Sequence, residues 1–105
     1  MTDKKIVLST AGSKEEGQKI AQALVERRLA ACVNIVGPIE SVYWWQGKVE
    51  NAAEYLLIVK TTAQQFSAIQ ACIRELHSYE LPECIQIAIE AGSGNYLDWI
   101  ANSVR

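Results

Sequence analysis

Five consecutive residues, Tyr55-Leu56-Leu57-Ile58-Val59, are all apolar or aromatic. A β-strand sends successive side chains to opposite faces, so this segment places large side chains on both sides of any sheet that contains it. Trp44-Trp45 does the same with two indole rings. A sheet with one solvated face should instead alternate apolar and polar residues. With 105 residues the chain reads as one domain spanning 1–105, and two helices can cover only one side of its sheet. Leaving the other side in water forfeits several kcal/mol at ~25 cal/mol per Å² and creates an adhesive patch. The economical solution is a closed homo-oligomer, a condition that a dimer or a trimer satisfies equally.

The remaining pattern supplies the elements around that strand. A first strand is expected over about Lys5 to Thr10, with Ile6 and Leu8 on one face and Val7 on the other. Ser13-Lys14-Glu15-Glu16 has the form of a capping box. Gly17, Ile20, Ala21 and Leu24 follow at helical spacing, and Arg27-Arg28 suit the negative end of the helix dipole. A second strand from Ala30 to Ile35 is interrupted at Gly37-Pro38 and resumes from Ile39 to Trp45. Gln46-Gly47 reads as a hairpin turn leading into a return strand that includes Glu54 to Thr61. Thr62-Ala63-Gln64-Gln65 is a second capping box before a helix with Phe66, Ile69, Ile73 and Leu76 on its apolar stripe. A loop runs from Leu76 to Pro82, and Ile85, Ile87 and Ile89 alternate along a fourth strand. A short C-terminal helix follows Gly94, with Asn95 as its cap and Leu97, Ile100 and Ala101 facing inward. This order predicts an α+β fold, a ferredoxin-like split βαβ sandwich with an extra C-terminal helix.

Several function classes conflict with the composition. Ten basic against twelve acidic residues give a net charge of −2, the wrong sign for a protein that must replace counterions on a nucleic-acid duplex. No segment has the ~20 apolar residues of a membrane helix, and the opening apolar run is too short for a signal-peptide core, so a cytoplasmic protein with no membrane or nucleic-acid partner is expected. Cys32, Cys72 and Cys84 are odd in number and contain no Cys-x-x-Cys, which reads as reduced structural thiols. Cys72 is expected beside the buried stripe of its helix. Cys84 should open a strand on the face opposite Ile85, with its protection depending on assembly.

The densest chemistry lies in His77-Ser78-Tyr79-Glu80-Leu81-Pro82-Glu83. One imidazole, one phenol and two carboxylates could bind a cation, act as acid and base, or cap a helix end. None of the seven serines sits in a nucleophile elbow, and a hydrolytic triad could draw only on His77. Gly92-Ser93-Gly94 is only a glycine-bearing turn ahead of a helix, far short of a phosphate loop. Tyr43, Trp44 and Trp45 lack the basic groove that would make them base-stacking residues, and read as core and interface.

Over nearly its whole length the sequence resembles the CutA family of divalent-cation tolerance proteins. The matching segments include Val7-Leu8-Ser9-Thr10-Ala11, Leu29 to Ile35, Ile39 to Lys48, Lys60-Thr61-Thr62, His77 to Glu83, and Tyr96-Leu97-Asp98-Trp99. The resemblance implies a ferredoxin-like subunit in a tight homotrimer, tolerance to and binding of divalent cations including copper, and no enzymatic activity. Copper ligation in the family is associated with a cysteine in the first strand and two adjacent histidines. Here those positions are Ser9 and Leu76-His77, so only His77 carries over. The implied site is a weak one for Cu(II) or Zn(II), using His77 with Glu80. A second reading is a trimeric small-molecule sensor resembling the nitrogen-regulatory signal transducers, with Trp45, Lys60, Tyr79 and Glu80 lining a cleft between subunits. A third is a structural trimer that presents a surface to a partner.

Overall fold

A computed structural model describes residues 2–105. Its elements are β1 (Lys4–Ala11), α1 (Lys14–Glu26), β2 (Cys32–Trp45), β3 (Lys48–Thr62), α2 (Phe66–Leu76), β4 (Ile85–Ala88) and α3 (Gly94–Ser103). The four strands form one sheet in the order β2-β3-β1-β4, and every neighbouring pair is antiparallel. This is the expected split βαβ topology with an added C-terminal helix. No helix among the described residues is long and apolar enough to cross a membrane.

Strand alternation divides the apolar residues between two destinations. Val7 of β1 and Leu57 and Val59 of β3 are fully buried with Ile20 and Leu24 of α1 and Ile69 and Ile73 of α2. The intervening residues lie on the opposite side. There Ile6 stands between Lys60 and Ile87, and Leu8 between Ile58 and Ile85, while Leu56 is opposite Val36. Ile85, Ile87 and Val36 are 51%, 45% and 44% exposed. The unbroken apolar run of β3 is thus resolved into one face that the helices cover and one that they do not.

Strands β2 and β3 continue past the body of the sheet as a long two-stranded arm, paired as far as Trp45 with Lys48. The arm lies in a molecule 44 Å long. Its turn uses Gln46 and Gly47, both at positive φ (50° and 81°), as a tight hairpin with matching twist requires. The interruption at Gly37-Pro38 is a register shift between Val36 and Ile39 within one strand, and the peptide bond there is cis.

Local details depart from the sequence expectations where a tertiary partner competes. Ser13 caps α1 by accepting from the Glu16 amide at 3.1 Å, but the Glu16 carboxylate bonds Ser78 instead of turning back to Ser13. Thr62 makes no side-chain cap; residues 63–65 form a 3₁₀ turn that leads into α2. The cap of α3 is Ser93, which accepts from the Tyr96 amide, in place of Asn95. Of the three residues expected to face inward from α3, Ile100 is buried, Leu97 is half-buried and Ala101 is exposed.

Cys72 is 2% exposed, and burial pushes its thiol above the ordinary range although the nearby Arg27 guanidinium acts against that. Native-state alkylation should therefore leave Cys72 unmodified while denatured protein reacts fully, as peptide mass mapping would read. Modification of native Cys72 at the rate of a free thiol would contradict the packing of α2.

Candidate functional site

The residues that follow α2 fold back over the end of the sheet where the arm begins. His77 starts this segment, and its side chain is fully buried. Its Nε2 lies 2.5 Å from the Thr10 carbonyl oxygen, and its Nδ1 accepts from the Tyr79 amide at 3.0 Å. A carbonyl can only accept and an amide N–H can only donate, so these partners assign the neutral tautomer protonated at Nε2. Ser78 is held by the Glu16 carboxylate through both its amide (2.5 Å) and its hydroxyl (3.0 Å). The imidazole also stacks on Tyr79, with ring centroids 4.5 Å apart.

Tyr79 passes over Gly12, where an added Cβ would come within 3.0 Å of the phenolic oxygen. Its hydroxyl then donates to Oε2 of Glu54 at 2.7 Å. Glu54 is only 7% exposed, and a carboxylate so buried requires a donor of this kind. Burial, followed by the hydrogen bond to Glu54 and that group's charge, raises the Tyr79 phenol well above its ordinary range. It therefore remains a donor throughout the physiological pH range.

Beyond this bond lies a cavity of about 720 Å³. One wall is the arm from Ser41 towards its tip, with Tyr43, Trp44 and Trp45, and the other is Tyr79 to Glu83. Thr10 and Glu54 form part of the lining. Register places Ile39 opposite Glu54, Ser41 opposite Ala52 and Tyr43 opposite Glu50, so Ser41 and Tyr43 share a sheet face with Glu54. That is the face carrying Leu56 and Ile58, which the helices leave open. Three carboxyl groups (Glu54, Glu80 and Glu83) line the cavity, and no lysine, arginine or histidine does. Burial, and secondarily the charge of Glu54, raises the Glu83 carboxyl above the usual carboxylate range.

The residues singled out in the sequence are thus separated into three groups. Trp45, Tyr79 and Glu80 line one cavity. Lys60 is not part of it; its amine bonds Asn34 Oδ1 on the open sheet face. His77 cannot serve as the expected metal ligand in this arrangement, because both ring nitrogens are committed to backbone partners. The other positions associated with copper do not fit it either. Ser9 is fully buried, with a hydroxyl that lacks a hydrogen-bond partner among the described residues, and Leu76 offers no ligand atom. No three His, Cys, Asp or Glu side chains among the described residues converge as a metal site would require. Glu54 was missed as a site residue. Its signal was a carboxylate immediately before an apolar run, at a position alternating with Leu56 and Ile58.

Two substitutions test this description. Tyr79→Phe removes the only side-chain donor to Glu54 among the described residues and should destabilise the protein by about 1–3 kcal/mol in urea unfolding, whereas Glu54→Gln, which can still accept, should cost less. Glu83 holds its proton more tightly folded than unfolded, so stability falls as pH rises from the ordinary carboxylate range through its raised pKa. Glu83→Gln should therefore melt higher than the parent at neutral pH, with the difference vanishing at about pH 4 as the parent becomes protonated.

Known proteins share both the sequence and this architecture. The family described as CutA1 divalent ion tolerance protein matches residues 5–103. The divalent-cation tolerance protein CutA of Thermus thermophilus is 47% identical over 95 residues, covering 90% of this chain and 92% of that protein. The chloroplastic protein CutA 1 of Oryza sativa is 45% identical over 100 residues, covering 95% of this chain. The chain spans 56% of the length of that rice relative. Among solved structures, the Thermus thermophilus divalent cation tolerance protein superposes with a TM-score of 0.95 at 44% identity, covering 97% of this chain and 99% of that one. CutA from Xylella fastidiosa superposes with a TM-score of 0.96 at 36% identity, covering 99% of this chain and all of that one. The family match over residues 5–103, the identity to relatives over most of the chain and the shared fold together establish that this chain belongs to the CutA1 divalent ion tolerance protein family.

Proposed function

We propose that the chain is the subunit of a homotrimer that binds cations without transforming them, and that it contributes to divalent-cation tolerance in this way. The observation that carries this reading is the cavity lining, with three carboxyl groups and no cationic side chain. Burial, and secondarily the charge of Glu54, disfavours the ionised form of Glu83, and a cation entering the cavity would offset that cost. Divalent ions such as Cu(II) and Zn(II) would be held by Glu80 and Glu83 with water completing the coordination shell, since too few protein ligands converge to close a site of the structural type.

The trimer is supported by the open sheet face and by the sheet edges. The order β2-β3-β1-β4 leaves β2 and β4 as two different free edges at opposite ends of the sheet. Pairing unlike surfaces head to tail generates a ring when the rotation closes. Such a ring covers both edges and buries Ile85, Ile87 and Val36, and it brings a neighbour close to the cavity on the same face.

Light scattering coupled to size exclusion should give about three times the 11.6 kDa subunit mass; a monomer at micromolar concentration would refute the assembly. Calorimetric titration at about pH 7.5 should show Cu(II) binding no tighter than roughly micromolar. His77→Gln should leave that affinity unchanged, while Glu80→Gln combined with Glu83→Gln should weaken it about tenfold or more, equivalent to about 1.4 kcal/mol. Affinity in the parent should fall as pH drops through the raised Glu83 pKa, because the carboxyl must lose its proton to bind. Unchanged Cu(II) binding in the double variant would remove the metal from this cavity.

A further inference from the structure

The cavity is larger than a metal ion alone would need. Divalent cations require several oxygen or nitrogen atoms to converge within about 2.0–2.6 Å of one point, and no such group of three side chains exists among the described residues. The volume of about 720 Å³ falls in the range of sites that enclose a small organic molecule. Three aromatic residues of the lining supply ring surfaces: Tyr43 and Trp45 on the Glu54 face of the arm, and Tyr79 across from them. Aromatic faces attract cations through their quadrupoles, and they do so best with ions whose charge is spread over a bulky, weakly hydrated group.

The carboxyl groups divide the work in a way that suits the same class of ligand. Glu54 already accepts from Tyr79 and holds that wall in place. Glu80 and Glu83 accept no side-chain hydrogen bond and form no ion pair among the described residues, so their oxygens remain available to a ligand. A neutral or anionic ligand would find aromatic walls but no cationic side chain to meet it.

We infer that this cavity binds an organic ammonium ion, with its alkylated nitrogen against the Tyr43 and Trp45 rings and its charge balanced by Glu80 and Glu83. The inference rests on the reading of the cavity as a cation site, and names a class of cation that Cu(II) and Zn(II) do not represent. Size, aromatic lining and dispersed negative charge all favour the larger ion, whereas the metal ions use the carboxyl groups alone.

Choline chloride is a suitable probe because 3,3-dimethyl-1-butanol has nearly the same shape and no charge. Titrations followed by tryptophan fluorescence and calorimetry, on the intact protein with ionic strength held by NaCl, should show saturable choline binding. The neutral alcohol should bind at least about tenfold more weakly, a difference of about 1.4 kcal/mol. Trp45→Leu should weaken choline severalfold without changing Cu(II) affinity, and Glu80→Gln with Glu83→Gln should weaken both. Equal binding of choline and the alcohol would overturn the inference. So would the absence of choline binding up to about 50 mM, about fiftyfold weaker than a millimolar affinity; this would also be the result if a neighbouring copy fills the cavity. Because the choline comparison uses the parent protein, it stands even if a variant fails to fold. Cu(II) binding without choline binding overturns this inference alone and leaves the metal reading intact. Failure of both ligands overturns the two together.

Discussion

The structure is organised by an imbalance between the sheet and its helices. Val7, Leu57 and Val59 direct one face into a core closed by Ile20, Leu24, Ile69 and Ile73. The same strands send Ile6, Leu8, Leu56 and Ile58 to the other side, where the subunit has nothing to cover them. An apolar sheet face is favourable only when water is removed from it, and this chain by itself leaves that face open. The long arm and the free edges of β2 and β4 belong to the same condition. Backbone groups and apolar side chains that one chain leaves unpaired are available to another.

The cavity develops at the border of that open face because a short segment is tied down from three directions. Glu16 holds Ser78, His77 bridges the Thr10 carbonyl and the Tyr79 amide, and Tyr79 reaches Glu54. Each contact satisfies a polar group that would otherwise be costly to bury. Together they hold the Tyr79–Glu83 segment across from the aromatic residues of the arm. The imidazole, the most conspicuous candidate ligand in the sequence, thus works as a structural brace, and the carboxyl groups nearby remain available for chemistry.

Much of this was legible from residue pattern alone, and the departures have a common cause. Alternation in β1 and β3 revealed both faces of the sheet, and the helical stripes of α1 and α2 identified the core. The expected capping interactions depended on short sequence motifs, and these changed wherever a distant partner offered a better bond. Glu16 left Ser13 for Ser78, and Ser93 replaced Asn95 as the cap of α3. Lys60 illustrates the same limit for the site. Its alternation with Ile58 gives its sheet face, but its distance along the strand from Glu54 removes it from the cavity, where Asn34 takes its amine.

What the sequence by itself determined is therefore the periodic part of the protein: strand faces, helix stripes, the hairpin at Gln46-Gly47 and the surplus of apolar surface. These follow from local geometry, since side-chain direction repeats every two residues in a strand and about every 3.6 in a helix. Only the tertiary structure decided which polar groups meet. That Tyr79 would donate to Glu54 across 25 residues, or His77 to Thr10 across 67, depends on how the chain folds back over the sheet. A hydrogen bond requires placement within a few tenths of an ångström, and no repeating local pattern carries that information.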